Sequence, residues 1–205
     1  MRRYVWLKDD PVGMEHAELS IGGSGLTARS VAIGSSPVPY RLDLELAVEQ
    51  GWVTRRLALA AVGDGWARSL VLDRDVDGSW RGTSTESGAP PPALDEAKPA
   101  HVVFPVDIPG AVVDVDVQWS PVTNLMPIRR LGLTTVGVEG RFTMAWVSVP
   151  TLAVTLDDQR YTVLGVDRGD VCVRFDSGDG LFAAVLRCDS DGVVLDYPGI
   201  ARRLR

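Results

Sequence analysis

Between Tyr40 and Val48 the chain alternates without a break. Tyr40, Leu42, Leu44, Leu46 and Val48 fall on one side of an extended backbone, and Arg41, Asp43, Glu45 and Ala47 on the other. Successive side chains of a strand point to opposite faces, so this period of two predicts a strand with one dry face and one wet face. Such a strand is stable only within a sheet whose apolar side is covered, which commits the chain to β architecture. The same period returns where Val113, Val115 and Val117 alternate with Asp114, Asp116 and Gln118. Phe142, Met144 and Trp146 alternate with Thr143, Ala145 and Val147, the pattern of a strand covered on both faces. Shorter apolar runs at 161–166, 171–175, 181–188 and 193–197 are punctuated by Gly and Asp at a spacing of about 8–12 residues, which predicts antiparallel hairpins.

Asp77-Gly78 and Asp191-Gly192 are hairpin-turn signals, because Asp and Gly tolerate positive φ. The eight residues at 71–78 and at 185–192, offset by 114, agree at five positions. Two readings stand side by side: a duplicated meander, or two hairpin turns alike by chance. From Thr83 to Pro109 the rhythm stops and six prolines gather, which predicts a long Pro-rich surface loop. One segment, Ser120 to Leu133, reads as helical: Thr123 and Asn124 are capping types, Pro127 lies near the first turn and Gly132 stands at the stop. Leu125, Ile128 and Leu131 give it one apolar face. The expected helix, about 123–132, is too short to persist without packing on the sheet.

At 205 residues, 45% hydrophobic and 23% charged, the chain is expected to form one domain over 1–205 with a real core. A net charge of −6 argues against nucleic acid and anionic membranes as general partners. The sequence contains no apolar run of the roughly 18 residues that a spanning helix needs, and no stable membrane insertion is expected. The N-terminal residues lack the apolar core of a secretion signal, so the chain is expected to be cytoplasmic. In that setting Cys172 and Cys188 are expected as free thiols.

Motifs for common chemistries are missing. Asp73-x-Asp75-x-Asp77-Gly78 opens like a calcium loop, but position twelve is Ser84 rather than Glu, and an acid-rich turn is the better reading. His16 and His101 stand apart, no His/Cys group has zinc spacing, and Gly22-Gly23-Ser24-Gly25 lacks the Lys of a phosphate loop. No metal and no cofactor is expected. What remains is the block from Asp114 to Leu133. Asp114 and Asp116 share one strand face and Arg129-Arg130 follow on the helix, which fits either an ion-pair network or a polar site for a sugar or phosphate headgroup.

This block resembles the signature of the "putative glycolipid-binding" family: Asp114-Val115-Asp116-Val117, then Ser120-Pro121-Val122-Thr123-Asn124-Leu125-Met126-Pro127-Ile128-Arg129-Arg130-Leu131-Gly132-Leu133. Val149-Pro150-x-Leu152, Gln159-x-Tyr161-Thr162 and Asp196-Tyr197-Pro198-Gly199-Ile200 followed by Arg202 extend the likeness, as do Trp6 and Glu15-His16-Ala17. The chain departs from the family pattern at Val122 and at Ile108-Pro109-Gly110-Ala111. The resemblance implies a mainly β fold, a long antiparallel sheet of many short strands wrapped as a spiral β-roll around a single short helix. It also implies a homodimer and a glycolipid or other amphiphile as ligand. On that reading Trp119, Trp146 and Tyr161 line an apolar cavity, together with Phe142 and Met144, while Asp116, Asn124, Arg129 and Arg130 meet a headgroup. Two alternatives remain: a filled roll with a structural Asp–Arg network and no ligand, and a lipid-directed hydrolase using Asp116 as base and Arg129 to hold an anion.

Overall fold

The computed structural model of the chain describes residues 1–99, 108–133 and 135–204. The alternating segments become strands as expected. β1 (Arg2–Lys8), β2 (Gly13–Ile21), β3 (Leu26–Gly34), β4 (Tyr40–Glu49), β5 (Val53–Gly63), β6 (Trp66–Arg74) and β7 (Trp80–Gly88) form an up-and-down meander. A short helix, α1 (Pro92–Glu96), follows, then β8 (Asp114–Val117) and α2 (Leu125–Leu131). A second meander comprises β9 (Glu139–Val147), β10 (Val154–Asp167), β11 (Asp170–Ser177), β12 (Phe182–Cys188), β13 (Val194–Tyr197) and β14 (Ala201–Arg203). All belong to one 14-stranded sheet in the order β7-β6-β5-β4-β3-β2-β1-β14-β13-β12-β11-β10-β9-β8. The two meanders meet where β1 pairs with β14, and every pairing is antiparallel except β8 with β9.

The sheet does not close into a barrel; it winds back over itself. Twist accumulates across so many strands, and the terminal strand arrives against the first meander. There the Thr54 N–H donates to the Val113 carbonyl at 2.9 Å. The helix α2 lies inside the curl and touches both halves. Leu125 and Met126 join the core of the first meander, while Ile128 joins the core of the second. Gly192, in the turn between β12 and β13, has a φ of 86° and presses on this helix. A Cβ there would stand 3.3 Å from Ile128 and from Leu125, so glycine suits both the turn and the contact.

The paired turns match in detail. The Asp75 N–H donates to Ser79 and the Gly78 N–H to Asp75, at 2.8 and 3.0 Å; the Asp189 N–H donates to Val193 and the Gly192 N–H to Asp189, both at 2.9 Å. The same offset of 114 lays β3, β4, β5 and β6 over β9, β10, β11 and β12, which favours duplication over chance.

Three expectations need correction. The surface loop expected over 83–109 begins later, because Thr83 to Gly88 form the second half of β7. That edge strand is wet on both faces beyond Arg81 and so lacks an apolar period. Residues 92–96 form α1, held by the buried Leu94, so the described residues contain two α-helices rather than one. Residues 100–107 of the expected loop, with His101 and Pro105, lie outside the described residues. Finally, α2 starts at Leu125, and neither Thr123 nor Asn124 caps it with a side chain. Both side chains are engaged elsewhere.

Candidate functional site

The concave face of the second meander carries an unusual run of polar groups. Along β10 the inward positions are Asp157, Gln159, Tyr161 and Val163, and only the last is aliphatic. Opposite them stand Asp114 and Asp116 on β8, inward because they pair with the inward Met144 and Trp146 of β9. Here the two acids part company. Asp114 is fully buried and Arg130 forks onto both of its oxygens at 2.5 and 2.6 Å. Arg130 also donates to the carbonyls of Gly51 and Trp52 and lies over the Phe142 ring. Burial raises the Asp114 carboxyl above its usual range and the Arg130 contact pulls it back.

Asp116 pairs with neither arginine. Its Oδ1 accepts from the Thr123 hydroxyl at 2.7 Å and its Oδ2 from the Gln159 amide at 2.7 Å. Burial lifts its carboxyl above the ordinary aspartate range, those two donors oppose the shift, and the charges of Asp157 and Asp114 add to it.

The remaining bond directions follow from the carboxylates. The Gln159 nitrogen also donates to Asp157 at 2.9 Å, so it must be the amide NH2 that faces the two acids. The Gln159 oxygen then accepts from the Tyr161 hydroxyl at 3.0 Å, and Tyr161 in turn accepts from the Asn124 amide at 3.0 Å. Burial holds the Tyr161 phenol well above its usual range, so it stays a donor. Asp157 is fixed further by the Ser177 hydroxyl at 2.7 Å and the Gly178 N–H at 3.2 Å.

This network underlies a cavity of about 310 Å³, with Asp157, Tyr161 and Thr123 behind the residues that line it. Asp116, Asn124 and Gln159 provide its polar side, with Gln118, Ser120 and Ser177. Trp119 and Trp146 wall one side, and Phe175, Phe182 and Tyr197 the other, their ring centroids 5.9–6.1 Å apart. Trp119 holds a φ of 62°, uncommon for any residue but glycine, in a turn closed by the Ser120 N–H to Val117 at 3.0 Å. The Ser120 hydroxyl donates to the buried Glu15 at 2.8 Å, which ties the cavity floor to β2. Larger hollows lie on the outer face, such as one of about 530 Å³ beside Arg3, Arg187 and Arg202, where acidic and basic side chains mix in solvent.

The structure therefore brings Asp116, Trp119, Asn124 and Trp146 to one cavity. Tyr161 lies beneath it, 1% exposed, and orients Asn124 and Gln159. Arg129 and Arg130 are elsewhere: Arg129 stacks 4.8 Å over the Trp52 ring and reaches the Asp191 carbonyl, and Arg130 holds Asp114. The hydrolase alternative required Arg129 beside Asp116, and that arrangement is not formed. Met144 and Phe142 pack in the core of the second meander. Gln118, Gln159, Phe175, Ser177, Phe182 and Tyr197 line the same cavity and were not among the expected contacts. Inward polar residues on a β-strand, Gln159 above all, were the available signal.

The fold and this site define an open, curled β-roll protein with a mixed aromatic and polar cavity on its concave side. A family model described as "Putative glycolipid-binding" matches residues 3–203, and the chain belongs to that family. It is similar in structure to a DUF1089 family protein from Pseudomonas aeruginosa, with 27% identity, a TM-score of 0.65, and coverage of 93% of this chain and 92% of that one. No curated protein matches the chain. No helix among the described residues is long and apolar enough to cross a membrane.

Proposed function

We propose that the protein binds an amphiphile whose glycosyl headgroup sits in the concave cavity. One observation carries this reading: flat aromatic walls, an unpaired carboxylate and oriented amides converge on a single space of about 310 Å³. A sugar ring presents C–H faces that pack on aromatic rings and hydroxyls that donate to carboxylates and amides, which is the lining found here. Asp116 is suited to this role because each of its oxygens accepts one protein hydrogen bond and keeps acceptor capacity for a ligand. An aglycone has a path outward: Phe182 is 38% exposed at the cavity, and the preceding Leu181 is 94% exposed. The family description, glycolipid binding, points to the same class of ligand.

Native mass spectrometry of the purified protein, followed by organic extraction, tests the reading. The expected result is a discrete added mass that extracts as a glycosylated lipid, on a species the same spectrum shows to be a homodimer. Extraction of a lipid without a sugar, or a bare mass unchanged after incubation with octyl β-D-glucoside, contradicts the headgroup assignment.

A further inference from the structure

The charge of the cavity floor narrows the headgroup further, a step that rests on the glycosyl reading above. Asp116 and Asp157 stand on either side of one Gln159 amide nitrogen, at 2.7 and 2.9 Å. Neither carboxylate enters an ion pair among the described residues, whereas Asp114, two positions before Asp116, is matched by Arg130. The arginines nearest in sequence are committed: Arg129 to the Trp52 ring and Arg130 to Asp114. No Lys, Arg or His lines the cavity among the described residues.

A second observation is independent of the acids. Asn124 is 3% exposed and lines the cavity. Its amide nitrogen is turned to Tyr161, which leaves its Oδ1 as the acceptor it presents at the cavity. The cavity therefore offers carboxylate and amide acceptors with no cationic side chain to match them, and it offers them between aromatic walls. Ring faces attract cations, most strongly when water is excluded. Asp116 and Asp157 are half-buried without a counter-charge, which carries part of the cost of burying a charge, and a cationic ligand relieves that cost.

We propose that the headgroup is an amino sugar, its ammonium seated between Asp116 and the aromatic wall, with Asn124 Oδ1 as a second acceptor. Sugars bearing phosphate or sulfate are rejected, because the same two carboxylates repel them.

The test is a titration of the intact protein at pH 7, followed by tryptophan emission, with D-glucosamine, D-glucose, D-glucose 6-phosphate and choline. Glucosamine is expected to bind at least about tenfold more tightly than glucose, and glucose 6-phosphate more weakly than either. In Asp116→Asn, whose folding is checked by its melting temperature, the glucosamine-to-glucose ratio is expected to fall below about threefold. Equal binding of glucosamine and glucose, or a preference for the phosphate, overturns the charge assignment while leaving the glycosyl reading in place. A preference that survives in Asp116→Asn overturns the role of this carboxylate. Binding of choline with no sugar, or of none of the four, overturns the glycosyl reading together with the inference built on it.

Discussion

The two meanders share a strand plan but fill their concave faces differently. In the first, Leu42, Leu44, Leu46, Leu57, Leu59, Leu70 and Leu72 are all at most 3% exposed, and the face is closed by aliphatic packing. In the second, the matching surface carries Asp157, Gln159, Tyr161 and Phe175, with Asp116 and Asn124 facing them. Aliphatic side chains choose rotamers that remove voids, so such a face collapses to native density. A polar chain has no such freedom, because each member must keep its partner at hydrogen-bonding distance and angle. The Asn124–Tyr161–Gln159–Asp116 chain keeps its internal bonds at the price of leaving space above it. The filled-roll alternative thus describes the first half of the molecule, and the cavity belongs to the second.

Several substitutions break or sharpen this contrast. The largest effect is expected for Arg130→Ala. It strands the fully buried Asp114 without its counter-charge, and a loss of about 3–5 kcal/mol is expected in chemical denaturation. Replacing both partners, Arg130→Met with Asp114→Leu, should recover most of that loss. Next come matched truncations. Leu70→Ala in the filled half should cost about 3 kcal/mol, whereas Phe182→Ala, 38% exposed at the cavity, should cost less than about 1 kcal/mol. Comparable losses at the two positions would show that the halves do not differ in packing.

The smallest effect has the opposite sign. Burial holds the folded Asp116 carboxyl above its unfolded value, so its ionised form opposes folding at neutral pH. Asp116→Asn keeps partners for Thr123 and Gln159 and should raise stability by about 1 kcal/mol at pH 7, seen as a melting temperature higher by about 2–4 °C. The wild-type penalty exists above the raised folded value and vanishes as pH falls toward the unfolded value of about 3.9. The gain of the variant should therefore shrink on acidification. A gain that stays constant down to that range would remove ionisation as its cause.

Much of the fold was legible in the sequence because strand alternation depends on local residue order alone. Tyr40 to Val48 declares its dry face without reference to any partner. The second half of β7 was not legible, since an edge strand with two wet faces has no apolar period to display. The site was legible in part. Asp116, Trp119 and Asn124 lie in one stretch of chain, and Trp146 belongs to an alternating strand. Gln159 showed itself as an inward polar residue on a strand, whereas Ser177, Phe182 and Tyr197 reach the same cavity only through the curl of the sheet, which no local pattern encodes. Thr123 and Asn124 misled for a physical reason: residue types that cap helices also hydrogen-bond at a distance. Here Thr123 binds Asp116 and Asn124 binds Tyr161, at the expense of the cap. Arg129 and Arg130 misled because guanidinium groups suit buried carboxylates and aromatic faces as well as they suit headgroups.

The central claim is that the cavity of the second meander holds a glycosyl headgroup. Six tryptophans are spread over the molecule, and their indole N–H signals report on position. Trp119 and Trp146 wall the cavity, while the indoles of Trp6 and Trp80 are bonded to the Val194 and Val112 carbonyls. The decisive measurement is a two-dimensional NMR titration with octyl β-D-glucoside below its micelle threshold. Saturable shifts at Trp119 and Trp146, with Trp6, Trp52, Trp66 and Trp80 unmoved, are the expected result. Shifts confined to the tryptophans of the first meander, or no shift at Trp119 and Trp146, would contradict the account.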